Sequence, residues 1–335
     1  MRQGEAARKG EWTGGDPLGG VKAPEALTLP DPAKRFARSA ARLEALSAGH
    51  PMSEWLRFMA QLAQAQHVAA GALRPFAGPD QAAVDQAVEA RMPPLAADGH
   101  RRDPAWRDGL AILFDDVDNR TIPPPARAVI EDLRNCEMGA LETLADEFLH
   151  GAVASADAGA AFYVAAALQV YFTRLAAGLP AASLRLLPQR QLCPCCGSTP
   201  VSGVVTASGR SPGTRYLHCS LCATAWNHVR ATCITCGETR SLSLRGIEGD
   251  SGSIKAETCN ECHTYAKMLY QARDMNVDPF ADDLATLGLD LMVAEAGWAR
   301  HAPNPLLLIG SGGHHSKQLA ATFNVPEGGR CPDVT

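Results

Sequence analysis

The chain has 335 residues, of which 46% are apolar and 20% charged, and its formal net charge is −5. This composition is that of a globular protein longer than one average domain; it excludes a polybasic nucleic-acid binder and an acidic disordered chain. Residues 1–20 hold no hydrophobic leader and no paired arginines, so a cytoplasmic location is expected.

Residues 1–30, rich in Gly, Pro and charge, read as a poorly ordered tail. A helical domain is expected over 31–186. Trp55, Phe58, Met59 and Leu62 repeat at the spacing of one helix face, as do Trp106, Leu110, Leu113 and Phe114, and more loosely Val129, Leu133 and Met138. Residues 160–179 are apolar nearly all round, which marks the central helix of the bundle. The longest uncharged apolar run, 158–173, is 16 residues long and contains Gln169, so a buried helix is expected and no membrane insertion.

After Leu187-Pro188 the helical period stops, and short β-like runs appear at 201–206 and 214–218. Two metal ribbons are predicted here, at 187–228 and 229–272. A C-terminal helix is expected within 273–302, with Asp278 as cap, Pro279 at its first position, Asp282 and Asp283 against its positive end, and Leu284, Leu287 and Leu291 on its buried face. Residues 303–335 read as a tail. The expected fold class is thus α plus small β: an all-helical bundle, two tandem rubredoxin-like or zinc-ribbon modules, and a C-terminal helix.

Eleven cysteines in a chain expected to stay reduced point to metal or redox chemistry, and nine of them fall between 193 and 262. Eight form C-x-x-C pairs: Cys193/Cys196, Cys219/Cys222, Cys233/Cys236 and Cys259/Cys262. The first two pairs are separated by 22 residues, as are the last two, and a shift of 40 superposes all eight. The same shift aligns Gly197 with Gly237, Gly209 with Gly249 and Thr224 with Thr264, which identifies a tandem duplication. Two cysteines three apart can turn both sulfurs onto one ion from a tight knuckle, and two facing knuckles complete a tetrahedral four-sulfur set. Gly197 and Gly237 suit the positive φ of such a turn. Ala223 and His263 stand at that position in the second knuckles, so the two halves of each unit are expected to differ. A 40-residue unit buries too little core alone, so each ion should contribute on the order of 10 kcal/mol to folding.

A tetrahedral four-sulfur set suits zinc or iron. Cys195 is a ninth thiol inside the first knuckle and reads as incidental. His218, His228 and His263 read as flanking groups rather than ligands, and His314 and His315 as solvated; Cys136 and Cys331 carry no expectation.

A closed four-sulfur set has no open position for hydrolysis, and no phosphate loop, dinucleotide fingerprint, G-x-S-x-G elbow or H-E-x-x-H occurs, so no enzyme is expected. One alternative is a zinc-ribbon nucleic-acid-binding or regulatory protein. The first repeat, 193–232, carries Arg210, Arg215 and Arg230 with no acid, while the second, 233–272, has four basic and five acidic residues. That one-sided footprint makes nucleic acid a poor partner. A thiol redox protein is the other alternative, because C-x-x-C is also a redox motif.

The segments Cys-Pro-Cys-Cys-Gly-Ser-Thr-Pro-Val (193–201), Arg-Tyr-Leu-His-Cys-Ser-Leu-Cys (215–222) with Trp226, Glu-Thr-Cys-Asn-Glu-Cys (257–262) with Tyr265, and Asp-Pro-Phe-Ala-Asp-Asp-Leu (278–284) resemble the formate dehydrogenase accessory proteins of the FdhE family. The resemblance is strong over 185–308. It implies a cytoplasmic chaperone or proofreading factor that binds the catalytic subunit of formate dehydrogenase. It also implies iron in rubredoxin-like sites held by the eight paired cysteines, which shifts the expected pair of ions from zinc toward iron. Cys195, where the family pattern has another residue, opens the choice of ligand between neighbours. The ribbons and the 278–292 helix are expected to form the recognition surface, with Asp282 and Asp283 as contacts. Loss of Cys219 and Cys222 is expected to unfold the first repeat and spare the helices.

Overall fold

The structure, a computed structural model, describes residues 23–307 except 210 and 303. Arg210, His314, His315, Cys331 and most of the two expected tails therefore lie outside the described residues. Within 1–30, Leu27–Thr28 form a short strand, β1.

Seven helices follow: α1 (Pro32–Ser47), α2 (Ser53–Ala72), α3 (Gln81–Glu89), α4 (Ala105–Asp118), α5 (Pro124–Arg134), α6 (Met138–His150) and α7 (Ala158–Ala177). Asp31 starts α1 by accepting the Ala33 N–H, with Pro32 at the first helical position. The apolar faces of α2 and α4 pack against α7, on which Tyr163, Val164, Leu168 and Phe172 are all buried. Met138 departs from expectation: it opens α6 and is 68% exposed, because the helix carrying Val129 and Leu133 has already ended. The helical stretch Ser155–Ala177 is longer than the sequence run indicates and is long and apolar enough to cross a membrane, yet 78% of its most apolar part is buried within the protein.

The remaining strands are β2 (Pro200–Val205), β3 (Arg215–Cys219), β4 (Ala225–Asn227), β5 (Leu242–Arg245), β6 (Ile254–Cys259), β7 (Thr264–Tyr270) and β8 (Ala299–Arg300). Each repeat supplies three antiparallel strands, β2–β3–β4 and β5–β6–β7, with the middle strand running into its second knuckle. The two units then fuse. β2 pairs in parallel with β7 through Gly203, Val204 and Val205 against Met268, Leu269 and Tyr270, giving the order β1-β4-β3-β2-β7-β6-β5, with β8 also beside β7. Gly203 makes this junction possible, because a Cβ there would stand 2.7 Å from the sulfur of buried Met268.

The C-terminal segment is two short helices, α8 (Ala281–Ala285) and α9 (Leu287–Glu295), broken at Thr286. The break rotates the apolar face: Leu284, Leu289 and Val293 are buried, whereas Leu291 is 66% exposed. α8 starts later than expected, with Phe280 at the cap position and Pro279 in the turn before it, but Asp278 still accepts from the Phe280 and Ala281 N–H groups and from the Ser39 hydroxyl of α1. Asp282 and Asp283 are not surface contacts; they are 1% and 0% exposed. The Arg42 guanidinium grips both oxygens of Asp282 at 2.9 and 2.7 Å. Asp283 takes the Asn304 amide, the Lys267 ammonium at 3.3 Å and the Arg300 guanidinium. Burial alone would raise the Asp283 carboxyl, but Arg300 and Lys267 hold it below the ordinary carboxylate range. Asn304, from the segment expected to be tail, is buried in this cluster.

Candidate metal centres

Among the described residues, two groups of side chains gather as metal ligands could: Cys193, Cys196, Cys219 and Cys222, and Cys233, Cys236, Cys259 and Cys262, each with its four sulfurs within 4.8 Å of one another. The pairing follows the tandem reading, with no exchange of knuckles between units. In the first group Cys193 and Cys222 sulfurs are 3.5 Å apart and those of Cys196 and Cys219 3.4 Å; in the second the equivalent pairs stand at 3.6 and 3.7 Å. Four sulfurs at about 2.3 Å from one ion in a tetrahedron lie roughly 3.8 Å apart, so the donor set fits zinc or iron without rearrangement.

All four knuckles share a left-handed residue, and the first knuckle of each unit is closed by a backbone bond. The Gly197 N–H donates to the Cys193 carbonyl, and the Gly237 N–H to the Cys233 carbonyl, closing the turn that aims both sulfurs inward. The residue after each second cysteine is left-handed: Gly197 at φ 82°, Ala223 at 60°, Gly237 at 78° and His263 at 54°. First and second knuckles thus agree in this left-handed φ and differ in the residue that adopts it. Ala223 and His263 hold that shape at a cost of about 1 kcal/mol each. Leu221 and Cys222 direct N–H groups at the Cys219 sulfur, and the Thr224 hydroxyl lies 3.2 Å from the Cys222 sulfur, just as the Thr264 hydroxyl lies 3.1 Å from that of Cys262.

The two centres sit in different surroundings. All four cysteines of the first are buried in the helical core, and the Cys195 and Cys196 carbonyls accept N–H groups from Leu95 and Ala97 between α3 and α4, both at 2.9 Å. Gln66 of α2 donates to Gln169 of α7, which donates to the Ser220 carbonyl inside the second knuckle. In the second centre Cys236 is exposed and Cys262 half-buried. Burial pushes the Cys193, Cys219 and Cys222 thiols above their usual range, a bias that a bound dication would reverse. Cys195 is buried outside both groups; the 40-residue shift puts Thr235 in its place.

His218, His228 and His263 also lie outside both groups. His228 instead faces the buried Arg215 guanidinium at 2.7 Å. That arginine ties the units together, reaching Glu257 of β6 at 2.7 Å and the Thr232 carbonyl at the end of the first repeat. One of the three arginines counted in the first repeat is thus neutralised inside the sheet. Burial, then Arg215, lowers His228 to about 4. Its unfolded value is near 6.5. Stability is therefore complete above 6.5 and falls by about one proton's linkage as the pH drops from 6.5 to 4. Urea unfolding midpoints across this interval should flatten in His228→Gln relative to the parent; an unchanged slope would refute the assignment.

A bundle whose core encloses one pair of cysteine knuckles, continued by a second pair on a fused sheet, defines a class of duplicated four-cysteine protein with a helical N-terminal domain. Profiles described as "FdhE, N-terminal", "FdhE, central domain" and "FdhE, C-terminal domain" match residues 24–188, 192–230 and 231–307. The chain is 40% identical over 289 residues to "Protein FdhE homolog" of Edwardsiella ictaluri and 39% over 287 residues to that of Cronobacter sakazakii, in each case across 85% of this chain and 92% of the relative. The crystal structure of the FdhE protein from Pseudomonas aeruginosa superposes with a TM-score of 0.76 at 35% identity, covering 84% of this chain and 98% of that one. This chain belongs to the FdhE family.

Proposed function

We propose that the protein is a cytoplasmic accessory factor in the maturation or proofreading of formate dehydrogenase, that it binds the catalytic subunit of that enzyme, and that its eight paired cysteines hold two ions, iron or zinc. The observation that carries the reading is family membership across both four-cysteine groups and the helical domain together. Its chemistry supports a non-catalytic role: four thiolates fill a tetrahedral ion's positions and leave none for a substrate. The cytoplasm keeps thiols reduced, which suits eight cysteines meant for metal.

When bound, the ions would supply cross-links between knuckles, replacing the large apolar core that each unit lacks. Cys193, Cys196, Cys219 and Cys222 would fix the sheet to the helices, and Cys233, Cys236, Cys259 and Cys262 would close its far end. The recognition surface then falls to exposed groups, among them Leu291 and Met292 on α9 and Leu244 on β5, rather than to Asp282 and Asp283. Purified full chain should retain the formate dehydrogenase catalytic subunit in a pull-down, with Leu291→Asp and Met292→Asp together reducing capture at least about 10-fold. Failure of the parent chain to capture the subunit would contradict the proposed function; undiminished capture by the variant would remove α9 from the surface.

A further inference from the structure

We infer that the two four-cysteine centres differ in kind: the first is locked, while the second gives up its ion to thiol or nitrogen ligands in solution with the rest of the fold intact. The inference rests on the reading that both groups hold metal, and it concerns what the surrounding residues allow.

The duplication makes the comparison controlled. Ligand types, spacing, left-handed turns and the hydroxyl beside the last cysteine are the same in both units. What differs is enclosure. An incoming ligand must reach the ion, or one cysteine must swing away, before the ion can leave. At the first centre neither can happen locally. Its cysteines are buried against helical side chains, one knuckle is pinned by Leu95 and Ala97, and the other by Gln169, itself held by Gln66. Release there requires opening the shared core. At the second centre Cys236 already faces solvent and Cys262 partly so. Ile234 of this knuckle is buried, but Thr235 is exposed, and its hydroxyl bonds the Thr264 hydroxyl and the His301 ring, each at 2.7 Å. These are surface bonds that water can replace. β5, which leads away from the first knuckle, has no second strand neighbour among the described residues. Local opening in proteins spans the range from nearly free at such edges to the full unfolding free energy in a core. Matched ligand sets in those two settings should therefore exchange at very different rates.

The test uses the full chain loaded with zinc, its zinc content measured, and then challenged with excess 4-(2-pyridylazo)resorcinol while absorbance reports release. Two phases of equal size are expected, separated on the order of 100-fold or more in rate. Cys236→Ser should remove the fast phase alone. Hydrogen exchange during the challenge should rise across 233–263 and stay unchanged across 193–227. A single phase for both equivalents, or loss of the slow phase in Cys236→Ser, overturns the inference while leaving the metal reading intact. A chain that binds no zinc at all fails the metal reading itself, and the inference with it. Should Cys236→Ser fold poorly, the exchange pattern of the parent chain decides alone: opening of 193–227 at the same rate as 233–263 refutes the inference.

Discussion

Replacing Cys219 and Cys222 together by serine should unfold most of the chain, helices included. The first centre's sulfurs belong to the same buried cluster as Trp106, Leu168 and Phe172, so its ion stabilises sheet and bundle at once. A four-thiolate site contributes on the order of 10 kcal/mol, which is comparable to the entire net stability of a domain at about 5–15 kcal/mol. Serine oxygens in that apolar setting would also be left without a metal and without partners. Far-UV circular dichroism should show loss of most helical signal at 25 °C. The matching pair of replacements at Cys259 and Cys262 should leave the helical signal near the parent value and loosen only the outer sheet. Retained helicity in Cys219→Ser/Cys222→Ser would mean that the bundle stands without the first centre, as the sequence alone predicts.

Asp283→Ala should destabilise the chain by about 3 kcal/mol, because it leaves the fully buried Lys267 and the partly buried Arg300 to share one carboxylate, Asp290, where the parent has two. Lys267 keeps the Asp290 carboxylate at 2.5 Å and the Asp283 and Thr286 carbonyls, and Arg300 keeps Asp290 at 3.6 Å, so one charge of the pair stays uncompensated. Leu291→Ala on the neighbouring helix should change stability by less than about 0.5 kcal/mol. Guanidinium unfolding of the two variants beside the parent measures the contrast; equal midpoints would show that the cluster contributes nothing. The held-down carboxyl also has a sign in pH. Because its folded value lies below 3.8, its contribution is present above that pH and is lost as the pH falls through the folded value.

The cysteines were legible because spacing alone encodes them. A three-residue step, a 22-residue gap and a 40-residue shift can be counted without coordinates, and the knuckle glycines confirm the turn. The helical domain was legible for a similar reason: Trp106, Leu110, Leu113 and Phe114 repeat with the helix period and are all buried. What escaped was long-range pairing. Nothing in Gly203 or Met268 announces that β2 will take β7 as a parallel neighbour, since the two residues lie in separate repeats. Nor does local sequence place Leu95 and Ala97 on the first knuckle, or Gln169 on the second.

Asp282 and Asp283 illustrate the opposite hazard. Two acids at the start of a helix have an adequate local explanation in the helix dipole, and as charged residues they also suggest a surface. Their partners, Arg42, Lys267 and Arg300, lie 240, 16 and 17 residues away and come from α1, β7 and β8. The Asp-Pro-Phe-Ala-Asp-Asp motif is a clasp: Asp278 on Ser39, Phe280 under the Arg35 guanidinium and Asp282 on Arg42 fasten the C-terminal segment to the first helix. A motif that stands out in sequence can thus stand out because it closes the fold.

The most direct examination of the central claim, two ions each held by four sulfurs in one duplicated segment, is X-ray absorption at the metal edge with elemental analysis on protein prepared under reducing conditions. The claim predicts about two ions per chain and a first shell of about four sulfurs at roughly 2.3 Å. A shell containing nitrogen or oxygen, or a preparation that folds fully with no ion bound, would contradict it.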